Sequence, residues 1–121
     1  MKKLLMVTTG AILLALPASA GNLHPLRLST KVEDFIVAAE RAAKQGKYDD
    51  AIINYRTAKT SAITECDIEA VIAGEKASLI AKMQLNKPSV SNSSEAQAKA
   101  AMAYRKIMEE EHSNMRSRCA L

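Results

Sequence analysis

Apolar residues recur at helical spacing along most of this chain, and very little glycine or proline interrupts them. Beyond Thr30, the sequence contains Gly46, Gly74 and Pro88 as its only residues of these two types. No segment alternates apolar and polar residues in the way that a half-buried strand would. This combination predicts an all-α fold of about four antiparallel helices.

The first twenty residues have the pattern of a cleavable secretory signal peptide. Lys2 and Lys3 form a positive start, residues 4–16 are largely apolar, and Ala18-Ser19-Ala20 supplies small residues for cleavage. The apolar run is shorter than the roughly 20 residues that span a bilayer, which argues against an uncleaved anchor. We therefore expect removal of residues 1–20, a flexible segment at residues 21–29, and a periplasmic location in a bacterium.

Cleavage would also change the charge of the protein. The whole chain has a formal net charge of +4, and the loss of Lys2 and Lys3 lowers it to +2. The remaining basic residues are interleaved with acidic ones, as on a solvated helix surface. We therefore expect no nucleic-acid partner and no stable membrane anchor.

Local signals mark the ends of two helices. Thr30 and Glu33 have the spacing of a capping box, which predicts that the first helix begins at Thr30. Gly46 suits the left-handed residue that ends a helix. Ser94 and Gln97 repeat the capping-box spacing and predict the start of the last helix.

The middle of the chain is marked less clearly. The predicted bounds of the second and third helices are Tyr48 or Asp49 to about Thr60, and about Cys66 to Leu85. Thr64 is the expected N-cap of the third helix, although one continuous bent helix is the alternative. A polar loop follows at residues 86–94. Residues 30–121 should therefore form one domain, with one helical hairpin at residues 30–64 and another at residues 65–121.

Two cysteines stand at positions that the predicted topology brings together. Cys66 lies at the start of the third helix and Cys119 just past the end of the fourth. Because a short loop makes these helices antiparallel neighbours, the start of one lies beside the end of the other. An oxidising compartment then favours a Cys66–Cys119 disulfide. The alternative is a reactive thiol, but the CxxC pair of redox enzymes does not occur.

Small and aromatic residues surround the predicted turn at Gly46. The most specific part reads GKYDDAIINYRTA, in which Ala and Tyr alternate at intervals that let two helices interdigitate. This segment resembles a tetratricopeptide repeat, a helix-turn-helix of about 34 residues. The matching positions are Phe35, Ala39, Gly46, Tyr48, Ala51, Tyr55 and Ala58.

The sequence also departs from this family. Ala42 stands where the family has a large aromatic residue, and Ile63 stands where a proline often closes the repeat. One repeat is recognisable, and single repeats do not bury both of their faces. We therefore expect a tetratricopeptide-like array or bundle in which the second hairpin, stapled by the disulfide, covers the first.

The resemblance implies that the first helix of the pair binds a protein or peptide. The outward positions of this helix are Glu33, Ile36, Val37, Glu40 and Lys44. Ile36 and Val37 would then be exposed apolar anchors among charged residues. The alternative is that the fourth helix packs over this face.

No catalytic set is recognisable. His24 and His112 are the only imidazoles, and neither a glycine-rich phosphate loop nor an HExxH motif occurs. We expect no enzymatic activity and no cofactor. A soft-metal site for Cu(I) or Ag(I) is an alternative, because Met108, His112, Met115 and Cys119 share one helical face. Methionines at this spacing are more often core residues.

These observations favour a periplasmic interaction module, such as an adaptor, a scaffold or an accessory factor of an envelope complex. An inhibitor or immunity protein that neutralises a cell-wall-acting toxin or hydrolase is the second hypothesis. Soft-metal binding through the last helix is the third.

Overall fold

The computed structural model describes residues 26–86 and 93–121, and it confirms the all-α prediction. Its four helices are α1 (Thr30–Lys44), α2 (Tyr48–Thr60), α3 (Glu65–Leu85) and α4 (Ser93–Cys119). Within these two ranges there is no β-strand, and Leu26 and Ala120 form an isolated antiparallel bridge. The predicted signal peptide lies outside the described residues, as do residues 21–25 and 87–92.

The helices pack in chain order. α1 and α2 form one hairpin, α3 and α4 form another, and α2 packs against α3 to join them. α1 approaches α3 and α4 at only a few positions. The side of the fold between α1 and α4 is consequently the least closely packed.

Close packing is possible because small side chains dominate the core. The buried alanines include Ala39, Ala43, Ala51, Ala58, Ala70, Ala73, Ala77, Ala81 and Ala100. On α3 it is the small-residue face that is buried, whereas Ile68 and Ile72 are 42% and 50% exposed. Small side chains let helix backbones approach one another. The closely spaced helices therefore leave little volume that larger core side chains would have to fill.

The helix ends confirm two of the sequence predictions. Gly46 follows α1 with a φ of 77°, the left-handed conformation that glycine adopts without a Cβ penalty. Thr64 is the N-cap of α3, and it forms a capping box with Asp67. The break between α2 and α3 therefore exists, and the continuous bent helix is excluded.

Two predicted capping boxes are wrong. Ser29, not Thr30, precedes the first helical residue of α1, and it makes no side-chain cap. Its hydroxyl instead donates a 2.6 Å hydrogen bond to Asp67 on α3. The last helix begins at Ser93, so Ser94 already lies within it. Local spacing could not reveal that a distant carboxylate competes for the Ser29 hydroxyl.

Asp67 is fully buried and anchors the segment before α1 to the start of α3. Its carboxylate accepts hydrogen bonds from the amide and hydroxyl of Ser29, at 2.8 and 2.6 Å. It also accepts from the backbone amides of Ile63 and Thr64, at 2.9 and 3.1 Å. Burial alone would raise the pKa of Asp67, but these four bonds outweigh it and hold the pKa far below its ordinary value.

The same end of the fold contains the predicted disulfide, which is confirmed. Cys66 and Cys119 are bonded, with their Cα atoms 5.7 Å apart. Nearby, the guanidinium of Arg118 pairs with both carboxylate oxygens of Glu69. The start of α3 and the end of α4 are thus joined by one covalent bond and one bidentate ion pair.

The segment from Leu26 to Ser29 packs against this end. Leu26 is 8% exposed, and the Arg27 amide donates a 2.7 Å hydrogen bond to the Cys119 carbonyl. Residues 26–29 are the last four of the segment that was predicted to be flexible, and the structure shows them in contact with the helical domain. They are held because Leu26 is buried and Ser29 is bound by Asp67.

Candidate binding groove

A groove with a volume of about 460 Å³ lies between the second half of α1 and the first half of α4. This volume is within the usual range for ligand sites in proteins, roughly 300–1,000 Å³. The residues that line it are Glu40, Ala43, Lys44, Gln45, Gly46, Tyr48, Gln97, Ala98, Ala101, Tyr104, Arg105, Met108 and Glu109.

The groove stays open because the two facing helices carry small residues here. Ala98 and Ala101 are exposed on α4, opposite the α1 wall that includes Ala43. At one end, the Gln97 side chain lies in the space that a Cβ on Gly46 would occupy. The turn between α1 and α2 therefore lies close to the first turns of α4.

The floor of the groove is aromatic and fixed. The rings of Tyr48 and Tyr104 are 6.1 Å apart between centroids and tilted by 42°. The Tyr104 hydroxyl lies 2.6 Å from the hydroxyl of Tyr55, a fully buried residue of α2. Burial raises the pKa of both Tyr55 and Tyr104. Both phenols are therefore neutral at physiological pH, and their hydrogen bond ties α4 to α2 beneath the groove.

Glu40 is the half-buried charged residue of the groove. Burial raises the pKa of its carboxyl group, and the nearby Lys44 opposes part of this effect. The negative charge of Glu40 in turn raises the pKa of Tyr55 and Tyr104. Glu40 and Tyr104 line the same groove from its two facing helices.

The rim of the groove is charged and exposed. Lys44 lies on α1, and Arg105 and Glu109 lie on α4. Apolar area in the middle with polar groups around it is the composition of a typical recognition surface.

Only some of the residues that were predicted to bind a partner line this groove. Glu40 and Lys44 line it, and α4 does not close over them. Glu33 and Val37 are exposed but lie outside the lining.

The expectation that Ile36 is an exposed anchor is wrong. Ile36 is 7% exposed and belongs to the hydrophobic core. It lies four residues after Val32 and three before Ala39, both of which are fully buried. That spacing places all three residues on the same inward stripe of α1.

The α4 side of the groove was missed by the sequence analysis. It consists of Gln97, Ala98, Ala101, Tyr104, Arg105, Met108 and Glu109. The available signal was the high alanine content of residues 96–103, five of eight, because alanine side chains leave space beside a helix unfilled.

The residues on which the tetratricopeptide resemblance depends lie mainly inside the α1–α2 hairpin. Phe35 is half-buried, and the buried positions are Ala39, Tyr48, Ala51, Tyr55 and Ala58. Gly46 and Tyr48 also line the groove. The residues of the motif therefore form the interior of the α1–α2 hairpin, and Gly46 and Tyr48 also form part of the groove lining.

The suggested soft-metal residues share a buried face of α4. Met108 and Met115 are each 2% exposed, and His112 is 8% exposed. Cys119 is bonded to Cys66, so it has no thiolate for a metal. Across the described ranges, no group of three or more His, Cys, Asp or Glu residues is placed to hold a metal ion.

A second apolar surface runs along α3. It consists of Ile68, Ile72, Leu79 and Met83, whose side chains are 40–64% exposed. None of these residues lines the groove. In residues 26–86 and 93–121, no helix has the length and apolar character needed to cross a membrane.

In residues 26–86 and 93–121, the fold and the groove define a disulfide-stapled array of four helices with an open site between α1 and α4. No protein-family model, curated protein or solved structure matches the chain.

Proposed function

We propose that this protein is a non-catalytic interaction module that binds a segment of another protein in the groove between α1 and α4. The observation that carries the proposal is the groove itself, which is open, of ligand size and built on a fixed aromatic floor. A site that is already formed loses little conformational entropy when it binds.

Two further features support this function. The resemblance of residues 35–58 to a tetratricopeptide repeat implies peptide or protein binding. The Cys66–Cys119 disulfide suits an oxidising compartment, and therefore the proposed export to the periplasm. An adaptor or accessory factor of an envelope complex would use such a site.

The groove can be tested with a pair of variants on α4. Ala101 and Met102 are both exposed, but only Ala101 lines the groove. Ala101→Trp should fill the groove without disturbing the core, whereas Met102→Trp adds the same side chain outside it. The assay is selection of random peptides displayed on phage against the oxidised protein.

We expect selected peptides to bind Ala101→Trp at least tenfold more weakly than the wild-type protein, and to bind Met102→Trp with unchanged affinity. Equal binding to both variants, or no enrichment of any peptide, would contradict the proposal. Capture from a periplasmic extract then separates the two roles. Several envelope proteins would favour an adaptor, and a single hydrolase held at nanomolar affinity would favour an inhibitor.

A further inference from the structure

The charged residues of the groove differ in depth. Lys44, Arg105 and Glu109 are exposed at the rim, whereas Glu40 is half-buried. Exposed charges are screened by water and contribute little to binding. The charge that a ligand meets inside the groove is therefore that of the Glu40 carboxylate.

This carboxylate is incompletely compensated within the protein. The salt bridges among the described residues do not include Glu40. Lys44 attracts it from one helical turn away, but Lys44 itself is exposed. The hydroxyls of Tyr55 and Tyr104 hydrogen-bond to each other, and among the described residues neither shares a hydrogen bond with Glu40. A partly desolvated carboxylate in this position favours a cationic ligand group and disfavours an anionic one.

The aromatic floor has the same preference. Tyr104 lines the same groove as Glu40, and the ring of Tyr48 lies 6.1 Å from the Tyr104 ring, between centroids. The face of an aromatic ring attracts an ammonium or guanidinium group within about 6 Å of its centroid. A half-buried carboxylate and two tyrosine rings thus line one groove.

We propose that this groove recognises a lysine or arginine side chain of its partner, with the cationic group between the Glu40 carboxylate and the Tyr104 ring. The proposal rests on the peptide-binding function above and specifies its ligand chemistry. The alkyl part of the basic side chain would lie against Ala43 and Ala101, which line opposite walls. The rim charges then affect the rate of association more than they affect which side chain of the partner is selected.

The test is a comparison of two phage selections from the same random peptide library, one on the wild-type protein and one on Glu40→Gln. We expect Lys or Arg to be enriched at one fixed position with the wild-type protein and not with Glu40→Gln. Groove-binding peptides without a basic residue would overturn this inference while leaving the proposed function intact. No enrichment of groove-binding peptides would overturn both.

A selected peptide and its analogue with norleucine in place of the lysine, or citrulline in place of the arginine, give the second measurement. By calorimetry, we expect either the analogue or Glu40→Gln to weaken binding about tenfold. The two changes together should weaken it no further, because they remove the same interaction. Independent, multiplicative losses would overturn the proposal.

Glu110→Gln is the matched control for these titrations. Glu110 is exposed on α4 and does not line the groove. Its substitution changes the net charge by the same amount as Glu40→Gln, and we expect less than a twofold effect on affinity. A loss equal to that of Glu40→Gln would show a general charge effect and overturn the assignment to Glu40.

Discussion

The ring of Tyr55 on α2 lies directly against Gly74 on α3, in the space that a Cβ at position 74 would occupy. The hydroxyl of the same tyrosine reaches Tyr104 on α4. One side chain therefore connects three helices, and the position of the groove floor depends on the absence of a side chain at Gly74. This explains why a glycine, which costs about 1 kcal/mol relative to alanine within a helix, stands in the middle of α3.

Gly74→Ala should destabilise the protein by about 2–3 kcal/mol, because the added methyl group overlaps the Tyr55 ring. The intrinsic helix propensity of alanine would act in the opposite direction. Urea unfolding followed by circular dichroism measures the difference. In a Tyr55→Leu background the same substitution should cost less, since the ring is absent. A Gly74→Ala protein at least as stable as the wild type would show that the helices move apart freely.

Asp67→Asn should lower the free energy of unfolding by about 3 kcal/mol at pH 7, because an amide cannot replace a carboxylate that accepts four hydrogen bonds. Asp34→Asn, at an exposed position of α1, is the control and should change it by less than about 0.5 kcal/mol. Equal effects of the two substitutions in urea unfolding would contradict the role of Asp67.

The same carboxylate predicts a loss of stability in acid. Its pKa in the folded protein is far below the unfolded value of about 4. The stabilisation is therefore complete above about pH 5 and decreases as the pH falls below 4, where the unfolded chain binds the proton first. Urea midpoints measured from pH 7 to pH 2 should fall for the wild type and for Asp34→Asn, and fall less for Asp67→Asn.

The helices and the disulfide were predictable because their signals are local or follow from topology. Residues three and four apart define a helix face, and an antiparallel hairpin brings Cys66 to Cys119 whatever its packing details. Ile36 illustrates a limit of this reasoning. The repeat resemblance placed it outward, whereas its spacing from Val32 and Ala39 correctly indicates the core.

The groove was not predictable in the same way. Its width depends on the distance between α1 and α4, which lie far apart in the sequence and touch at few positions. That distance is set by the contacts of other helices, such as Tyr55 with Gly74 and Tyr104. Likewise, nothing near Ser29 indicates that its hydroxyl binds Asp67, which is 38 residues away.

Removal of the disulfide should destabilise the end of the fold at which the start of α3 meets the end of α4. The bridge closes a loop with a sequence separation of 53 residues, which corresponds to about 4 kcal/mol in the chain-entropy model. In urea titrations, we expect the free energy of unfolding of the Cys66→Ala/Cys119→Ala protein to be lower by this amount. We also expect the Arg27 amide to exchange its hydrogen faster. Reduced wild-type protein is the control, and it should show the same loss of stability and the same faster exchange at Arg27 as the double variant. Unchanged exchange at Arg27 would show that the hydrogen bonds alone hold this end.

Glu40→Gln should stabilise the ligand-free protein, by about 0.5–1 kcal/mol, because partial burial disfavours the ionised carboxylate. The raised pKa means that ionisation costs folding free energy at pH 7, and that this cost disappears below the unfolded pKa of about 4.3. The gain in urea unfolding should therefore shrink from pH 7 to pH 4. Glu110→Gln should leave stability within about 0.5 kcal/mol at both pH values. If Glu40→Gln were destabilising at pH 7, Lys44 would already compensate the carboxylate in the free protein.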